Sequence, residues 1–353
     1  MRSPVFVVGT QRSGTTLLCA ILNQHHSYYV TNELPPVAYD LLANGTAQAL
    51  AEHLRLDSRF PGDPAPAAAS CASGWEYLET AMSRRATHFM KEAWGIKDPQ
   101  LTDHLEMFAR RYPDAQFIII IRDPRSVVSS LMKNSWHVAN VLHGAQGWCE
   151  RVRKQLTFAE AHPTRATVIH YRDLVTEPEG AIAAICRRLS IDFVPEMLTR
   201  PNTTDIVLNK LNENAFKDIA RNFDDKWKTH FTSRQVQILE SVAAPLMQRL
   251  GYAPQSEPVP LARITTHCYT LHQRIVSEFR WQWIRRVEPA WNRAWGCFAP
   301  RDVTPRMSEQ RPEADASPRG SRLTFGQSPA RHRFCLKTAR GARSGNRARV
   351  RFL

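Results

Sequence analysis

Short apolar runs alternate with stretches of helical periodicity over the first 250 residues of the chain. The run at 116–121 (Q-F-I-I-I-I) has almost no polar side, which is typical of a central strand covered by helices on both faces. Runs of strand length also occur at 5–8, 28–30, 94–97 and 166–170. The helical stretches lie at 14–24, 75–91, 101–112, 124–134, 144–161, 178–189 and 233–250.

This alternation predicts β-α-β units, and therefore an α/β fold in which a parallel sheet lies between two layers of helices. A Pro/Ala-rich stretch at 57–73 interrupts the pattern and predicts a loop or a mobile insert. After residue 253 the composition changes, so we expect three parts. These are a domain at 1–253, a linker with a Trp/Arg-rich helical extension at 254–299, and a basic, disordered tail at 300–353.

The chain has 353 residues and a net charge of +14, most of which lies in its last part. Residues 301–353 contain 13 Lys and Arg against 4 Asp and Glu, whereas residues 1–300 contain 34 against 29. The body therefore has a mild basic bias that suits an anionic ligand. The tail has no base-reading motif, so we expect no specific nucleic-acid partner. Its charge and the Trp/Arg segment leave open a peripheral membrane contact, a partner protein, or packing as an extra helix.

Cysteine and histidine usage argues against a disulfide framework and a metal site. The seven cysteines are scattered, odd in number and never spaced C-x-x-C, and the 13 histidines show no ligand spacing such as H-E-x-x-H. No apolar stretch reaches the roughly 18 residues of a transmembrane helix, and the run at 5–8 is too short for a signal peptide. We therefore expect a soluble cytoplasmic protein that holds no metal.

The sequence G-T-Q-R-S-G-T-T at 9–16 lies between the first predicted strand and the first predicted helix. A glycine-rich turn at a helix start points backbone N–H groups at an anion, and the helix dipole favours negative charge there. Gly9 and Gly14 have the spacing of a nucleotide-binding P-loop, but Thr15 stands where that motif requires Lys. The cation, Arg12, lies inside the loop instead. The loop therefore predicts a P-loop-like anion site unsuited to a magnesium triphosphate; a kinase-like phosphotransferase is the alternative.

Two motifs resemble those of sulfotransferases that use 3′-phosphoadenosine-5′-phosphosulfate (PAPS). The stretch Q-R-S-G-T-T-L-L at 11–18 is similar to the family's 5′-phosphosulfate loop, in the form found in bacterial enzymes and tyrosylprotein sulfotransferases. The stretch I-R-D-P-R-S-V-V-S-S at 121–130 is similar to the family's 3′-phosphate motif, and H-Y-R-D-L at 170–174 to a weaker Y-E-x-L segment. The resemblance covers 4–253 and implies a P-loop-like three-layer fold. It also implies donor contacts from Arg12, Ser13, Gly14, Thr15, Thr16, Arg122, Ser130 and Tyr171.

Sulfuryl transfer is a displacement between oxygens that needs a base for the acceptor hydroxyl and cations near the leaving oxygen. Arg12 suits the second task. The resemblance implies Glu33, 21 residues after Arg12, as the general base, and Lys97 of a K-D-P motif as a second cation. Many cytosolic steroid and phenol enzymes have a His base just after this Lys; Asp98 stands here, which favours Glu33. The implied reaction releases adenosine 3′,5′-bisphosphate and requires no metal.

The residues alone leave alternatives open. Glu33 also fits a surface or helix-capping carboxylate, and Lys97 fits an ion pair with Asp98 or with a neighbouring helix. Tyr171 fits core packing, and R-D-P-R fits a salt-bridged helix start. A non-catalytic nucleotide-binding protein would keep the same fold. The acceptor hydroxyl has no readable code, so a small molecule, a carbohydrate and a peptide remain open, as does the oligomeric state. Asn134 stands where the tyrosylprotein enzymes have an Arg, a departure that argues against their substrate class.

Overall fold

The computed structural model describes residues 2–56, 68–134, 137–199 and 225–286. Most of the predicted insert at 57–73, part of the predicted extension at 254–299 and the whole basic tail lie outside the described residues. The strands of the described part form one parallel sheet in the order β2-β3-β1-β4-β5. They are β1 (Val5–Gly9), β2 (Tyr28–Thr31), β3 (Ala93–Lys97), β4 (Gln116–Ile121) and β5 (Ala166–His170).

Helices connect the strands and cover both faces of the sheet, which confirms the predicted α/β fold. They are α1 (Thr15–Gln24), α2 (Val37–Asn44), α3 (Ala47–Leu56), α4 (Gly74–His88), α5 (Leu105–Arg111), α6 (Pro124–Asn134), α7 (Val141–Ala161), α8 (Tyr171–Thr176), α9 (Pro178–Leu189), α10 (Ser233–Arg249) and α11 (Arg263–Arg286).

Several helices begin or end at residues other than the predicted ones, because capping side chains determine their limits. Asn140 accepts a hydrogen bond from the backbone N–H of His143, so α7 begins at 141 and not at 144. The stretch predicted as one helix at 101–112 is a 3-10 turn at Pro99–Asp103 followed by α5. Three short helices, α2, α3 and α8, were not predicted from periodicity because each lies within a loop after a strand or helix.

Alternate residues of each central strand enter two separate cores. Phe6 and Val8 of β1 belong to a large core with α4, α5, α7 and α10. Val5 and Val7 belong to a second core that α1, α8 and α9 cover. All four side chains are fully buried, as expected for a parallel strand with helices on both sides. This two-sided burial fixes the register of the sheet, and with it the position of every strand end.

The segment that follows the predicted domain boundary at 253 makes defined contacts with the body. Glu240 of α10 accepts hydrogen bonds from the backbone N–H groups of Gln255 and Ser256. Helix α11 belongs to the same compact unit as the sheet. The division at 253 stays a prediction. None of the helices in the described part combines the length and the apolar character that a bilayer span requires; the cytoplasmic location stays a prediction.

Candidate active site

The carboxyl ends of the parallel strands place the predicted site residues at one edge of the sheet. Val7 of β1 pairs with Lys97 at the end of β3, and Gly9 at the end of β1 pairs with Ile120 in β4. Thr31, which ends β2, pairs with Ile96. Ligands of open α/β sheets bind in the crevice beyond such strand ends, beside the central strand where connections diverge to both sides. The residues just after these ends are therefore the candidates for chemistry.

The loop between β1 and α1 holds two residues in the left-handed backbone conformation. Arg12 has φ of 71° and Gly14 has φ of 98°. A left-handed non-glycine residue costs about 1–2 kcal/mol, and such strain clusters at functional sites. The hydroxyl groups of Thr10 and Ser13 form a hydrogen bond, and the Ser13 N–H donates to the Thr10 carbonyl oxygen at 3.1 Å. These two bonds close the loop, so the Ser13 side chain shapes it from within.

Gly14 precedes α1 in a space that admits no side chain. A Cβ there would lie 2.4 Å from Cδ2 of Tyr171, which the chain places at the start of α8 after β5. No side chain caps the start of α1, where Thr15 and Thr16 form the first turn. A helix start of this kind is suited to an anion, because backbone N–H groups and the dipole both favour one. The Tyr171 ring therefore packs against the loop at Gly14. Its contact with a nucleotide stays a prediction.

The two sequence motifs meet at this edge. Arg12 Nε donates to Ser130 Oγ of α6 at 2.9 Å, and Arg122 Nη1 donates to the carbonyl oxygen of Arg12 at 3.2 Å. The guanidinium carbon of Arg122 lies 4.1 Å from the centroid of the Tyr171 ring, a cation–π contact. Trp148 Nε1 donates to the Arg122 carbonyl oxygen at 3.1 Å and fixes the end of β4 against α7.

Positive charge accumulates in this crevice. Burial and the neighbouring Arg122 lower the pKa of Arg12, and the charge of Glu33 acts to raise it. An anion beside Arg12 would offset the burial and the repulsion by Arg122, and so would stabilise the charged guanidinium of Arg12. The residues therefore fit an anionic ligand at the helix start. Among the described residues, no group of three His, Cys, Asp or Glu is arranged to hold a metal ion.

Glu33 and Lys97 form an ion pair beside this cluster. Lys97 Nζ donates to Glu33 Oε1 at 2.9 Å. The Lys97 side chain is 1% exposed, whereas the Glu33 side chain is 30% exposed. The pair thus has a buried cation and a carboxylate that reaches solvent at the mouth of the crevice. The side-chain partner of Lys97 is therefore Glu33, and not its sequence neighbour Asp98.

Asp98 holds the Glu33 segment in place, a role that was not predicted from the sequence. Its Oδ2 accepts from the Leu34 N–H at 3.0 Å and from the Tyr39 hydroxyl at 2.6 Å, and its Oδ1 accepts from the Gln100 N–H at 2.8 Å. Burial raises the pKa of Asp98 to about 6, with hydrogen bonds from Tyr39 and Gln100 opposing the shift. The Asp-Pro step before a helical turn was a signal for this role, since Asp is a preferred N-cap and Pro a preferred first residue.

The R-D-P-R stretch divides its two arginines between different tasks. Arg125 donates from Nε to Asp123 Oδ1 at 2.9 Å and from Nη1 to Glu240 Oε1 at 2.8 Å, and all three side chains are buried. Its guanidinium carbon lies 4.5 Å from the Trp227 ring centroid. Arg125 therefore forms the salt-bridged helix start that R-D-P-R left open, whereas Arg122 donates to the loop. Charge alone did not separate these two roles in the sequence.

The structure brings the predicted residues Arg12, Ser13, Gly14, Thr15, Thr16, Glu33, Lys97, Arg122, Ser130 and Tyr171 to one edge of the sheet. Their assignment to donor binding and catalysis stays a prediction.

Comparisons with known proteins agree with this geometry. A family model described as "Sulfotransferase family" matches residues 4–195. Protein-tyrosine sulfotransferase 2 of Gallus gallus is 24% identical over 268 residues, 72% of this chain and 70% of that protein. Nodulation protein NoeE of Sinorhizobium fredii is 24% identical over 321 residues, 80% of this chain and 74% of that protein. The solved sulfotransferase domain from the curacin biosynthetic pathway superposes on this chain with a TM-score of 0.53 and 19% identity. The match covers 72% of this chain and 99% of that domain, and it shows that the two share a fold. Because the family model spans more than half of the sequence, the chain belongs to the sulfotransferase family.

Proposed function

We propose that this chain transfers the sulfuryl group of PAPS to an acceptor hydroxyl and releases adenosine 3′,5′-bisphosphate. The observation that carries the proposal is the contact between the two motifs, in which Arg12 donates to Ser130 while Arg122 donates to the Arg12 carbonyl oxygen. Two cation-bearing segments more than 100 residues apart in sequence thus share one crevice. A nucleotide with anionic groups on both its 5′ and 3′ sides suits such a crevice better than a linear triphosphate does.

In this proposal the loop and the start of α1 hold the 5′-phosphosulfate through the backbone N–H groups of Thr15 and Thr16 and the side chain of Arg12. Arg122 and Ser130 hold the 3′-phosphate, one through a guanidinium and the other through a hydroxyl. The absent Cβ of Gly14 lets the loop lie directly against the Tyr171 ring. Family membership and the meeting of the motifs support this assignment.

Glu33 acts as the base and Lys97 as the buried cation of the transfer. Glu33 removes the proton from the acceptor hydroxyl, whose oxygen then attacks the sulfur in line with the bond that breaks. That bond joins the sulfur to the bridging oxygen of the 5′-phosphate, which leaves with the electron pair. Lys97 and Arg12 stabilise the negative charge that develops on this oxygen. The 2.9 Å ion pair keeps the base beside the cation, so both act at one place.

The acceptor is proposed from the relatives. Several curated relatives are named for protein tyrosine, which favours a peptide or protein hydroxyl. The departure at Asn134 from the tyrosylprotein pattern keeps carbohydrate and small-molecule hydroxyls in the test panel.

Donor specificity is tested by ligand-induced thermal stabilisation. Adenosine 3′,5′-bisphosphate at about one hundred times its Kd should stabilise the fold by about 2.7 kcal/mol, and magnesium-ATP should not. Arg122→Ala should abolish most of the shift. Arg84→Ala, which removes an exposed arginine of α4, is the matched control and should preserve it. Stabilisation by magnesium-ATP alone would refute the proposal in favour of a phosphotransferase.

Transfer itself is tested with sulfur-labelled PAPS and a panel of tyrosine peptides, oligosaccharides and phenols. Glu33→Gln should retain donor binding and lose roughly a hundredfold or more in rate, whereas Glu92→Gln at an exposed position should not. Label on no acceptor would favour the non-catalytic alternative, and full activity of Glu33→Gln would reject the base assignment.

A further inference from the structure

One face of helix α11 packs on the body. Gln273 accepts from the Ala139 N–H at 2.9 Å and donates to the His137 carbonyl oxygen at 2.7 Å. Asn140 Nδ2 donates to the Tyr269 carbonyl oxygen at 2.9 Å, and Arg280 Nη1 donates to the Val138 carbonyl oxygen at 3.2 Å. These bonds tie the helix to the segment 137–140 just before α7. They leave the opposite face turned away from the body.

That opposite face carries a continuous apolar stripe. Of the five large apolar side chains that the described part of the chain exposes, four belong to α11. At about 100° per residue, these four side chains lie within an arc of about 80°, whose centre is about 160° around the helix from Gln273 and about 120° from Tyr269. They extend over about 22 Å of helix. The stripe consists of Ile264 (69% exposed), Leu271 (51%), Ile275 (60%) and Phe279 (67%).

A stripe of this kind differs from the single apolar residues that every protein surface contains. Scattered exposed apolar side chains need no explanation, whereas an aligned set on an exposed helix marks a contact surface. Met90, the fifth exposed apolar residue, stands alone after α4 and serves as the comparison. We therefore expect the stripe to contact a partner surface that has an apolar component.

The charged side chains near the stripe indicate the charge of the surface that it contacts. On one side of the stripe lie, in order of increasing angular distance, the exposed side chains of Glu278, His267, Arg274 and Arg263, and Glu278 is the sole acidic residue in the sequence of α11. The sequence that follows continues with Trp and Arg residues, and residues 301–353 hold 13 Lys and Arg against 4 Asp and Glu. Pairing with a second copy would set like charges against each other. An anionic surface with an apolar layer beneath it complements both features.

We propose that α11 docks the protein on an anionic phospholipid surface, with the stripe in the headgroup–acyl boundary and the flanking arginines on the headgroups. Aromatic and aliphatic side chains on one face with arginines beside them are the composition of helices that lie in the plane of a membrane. The stripe and the packed face are on opposite sides, so the helix engages the lipid without leaving the body. This proposal is independent of the sulfotransferase chemistry.

The test is co-sedimentation of the full chain with vesicles. Vesicles of phosphatidylcholine with about 30% phosphatidylserine should bind the protein, and pure phosphatidylcholine vesicles should bind it much less. The double variant Leu271→Asp/Ile275→Asp should partition at least about tenfold more weakly, because both side chains lose their apolar contact. Met90→Asp, which adds one negative charge at an exposed apolar position outside α11, should bind like the unaltered chain. Far-ultraviolet circular dichroism should be the same for all three.

Three outcomes would overturn the proposal. Unchanged binding of the double variant would assign the attraction to basic charge elsewhere in the chain. Absence of binding to either vesicle would remove the lipid surface altogether. A dimer in light scattering that Leu271→Asp/Ile275→Asp converts to a monomer would identify the occupant as a second copy of the chain.

Discussion

Lys97 Nζ lies 2.9 Å from Glu33 Oε1 although the two residues are 64 positions apart in the sequence. The register of the sheet brings them together, because Thr31 at the end of β2 pairs with Ile96, one residue before Lys97. Lys97 is buried and Glu33 is partly exposed. Because the ion pair results from strand ends that the two cores fix, it is preorganised before any substrate binds.

Replacement of Lys97 by Met tests the buried cation. The variant keeps much of the side-chain volume and removes the charge, so the transfer rate should fall by roughly 10²–10³. Donor affinity, measured by titration calorimetry with adenosine 3′,5′-bisphosphate, should change much less than the rate. Lys154→Met, which removes an exposed ion pair with Glu150 and Asp103, should leave the rate unchanged. A fully active Lys97→Met enzyme would exclude the assigned role.

Gly14→Ala should damage both the fold and the donor site. The added Cβ would meet Tyr171 Cδ2 at 2.4 Å, and alanine at φ of 98° is strained whatever the space. We expect the free energy of unfolding to fall by about 2 kcal/mol or more, the sum of the cost of a left-handed alanine and the cost of the steric clash. Donor binding should be lost as well. Gly147 of α7 has nothing within 4 Å of its added Cβ, so Gly147→Ala should stabilise the protein by roughly 0.5–1 kcal/mol. Urea unfolding of both variants is the measurement, and equal effects would contradict the steric argument.

Asp98 should make the stability of the fold depend on pH. Its pKa is about 6 in the folded chain against the ordinary aspartate value of 3.8, so the folded state binds more protons between about pH 4 and 6. The free energy of unfolding should therefore fall as the pH rises through this window, by about 3 kcal/mol from this group. Asp98→Asn cannot ionise and should lack this part of the slope. The difference between the two urea-unfolding curves at pH 4 and pH 7.5 measures it; parallel pH profiles would show that Asp98 does not titrate in this range.

The position of the loop between β1 and α1 was predictable from the sequence because its signals are local. A buried strand, a turn with Gly9 and Gly14, and an amphipathic helix follow one another directly, a pattern typical of an anion site at a helix start. The α/β fold was predictable for the same reason, since apolar runs and helical periods alternate along the chain.

The pairings across the edge were not predictable, because they depend on register between distant strands. The resemblance implied a donor contact for Arg122, while the residues alone left a salt-bridged helix start open for the whole R-D-P-R stretch. Only the packing of α6 against α10 directs Arg125 to the buried Glu240 and leaves Arg122 at the loop. The order of the strands decides that Glu33 meets Lys97, and no local pattern encodes that order.

The buried group of Asp123, Arg125 and Glu240 should support the fold rather than the chemistry. Arg125→Met leaves two buried carboxylates without their cation, so the free energy of unfolding should fall by about 3–5 kcal/mol. Arg111→Met breaks the exposed pair with Glu79 and should cost less than about 1 kcal/mol. Both variants, studied below their unfolding transitions, should bind adenosine 3′,5′-bisphosphate like the unaltered chain. A weakened affinity in Arg125→Met would show that this arginine also serves the donor site.

The double variant Arg125→Met/Glu240→Leu decides what the buried carboxylate of Glu240 contributes. Replacing buried ion pairs by apolar residues is often neutral in other proteins. Here Glu240 also accepts from the backbone N–H groups of Gln255 and Ser256 at 3.0 and 2.8 Å, and leucine would leave these donors unpaired. Asp123 also keeps a buried carboxylate without its cation, so we expect the double variant to recover little of the stability lost in Arg125→Met. Full recovery in urea unfolding would show that the ion pair, and not the anchoring of residues 255–256, is the reason for the buried glutamate.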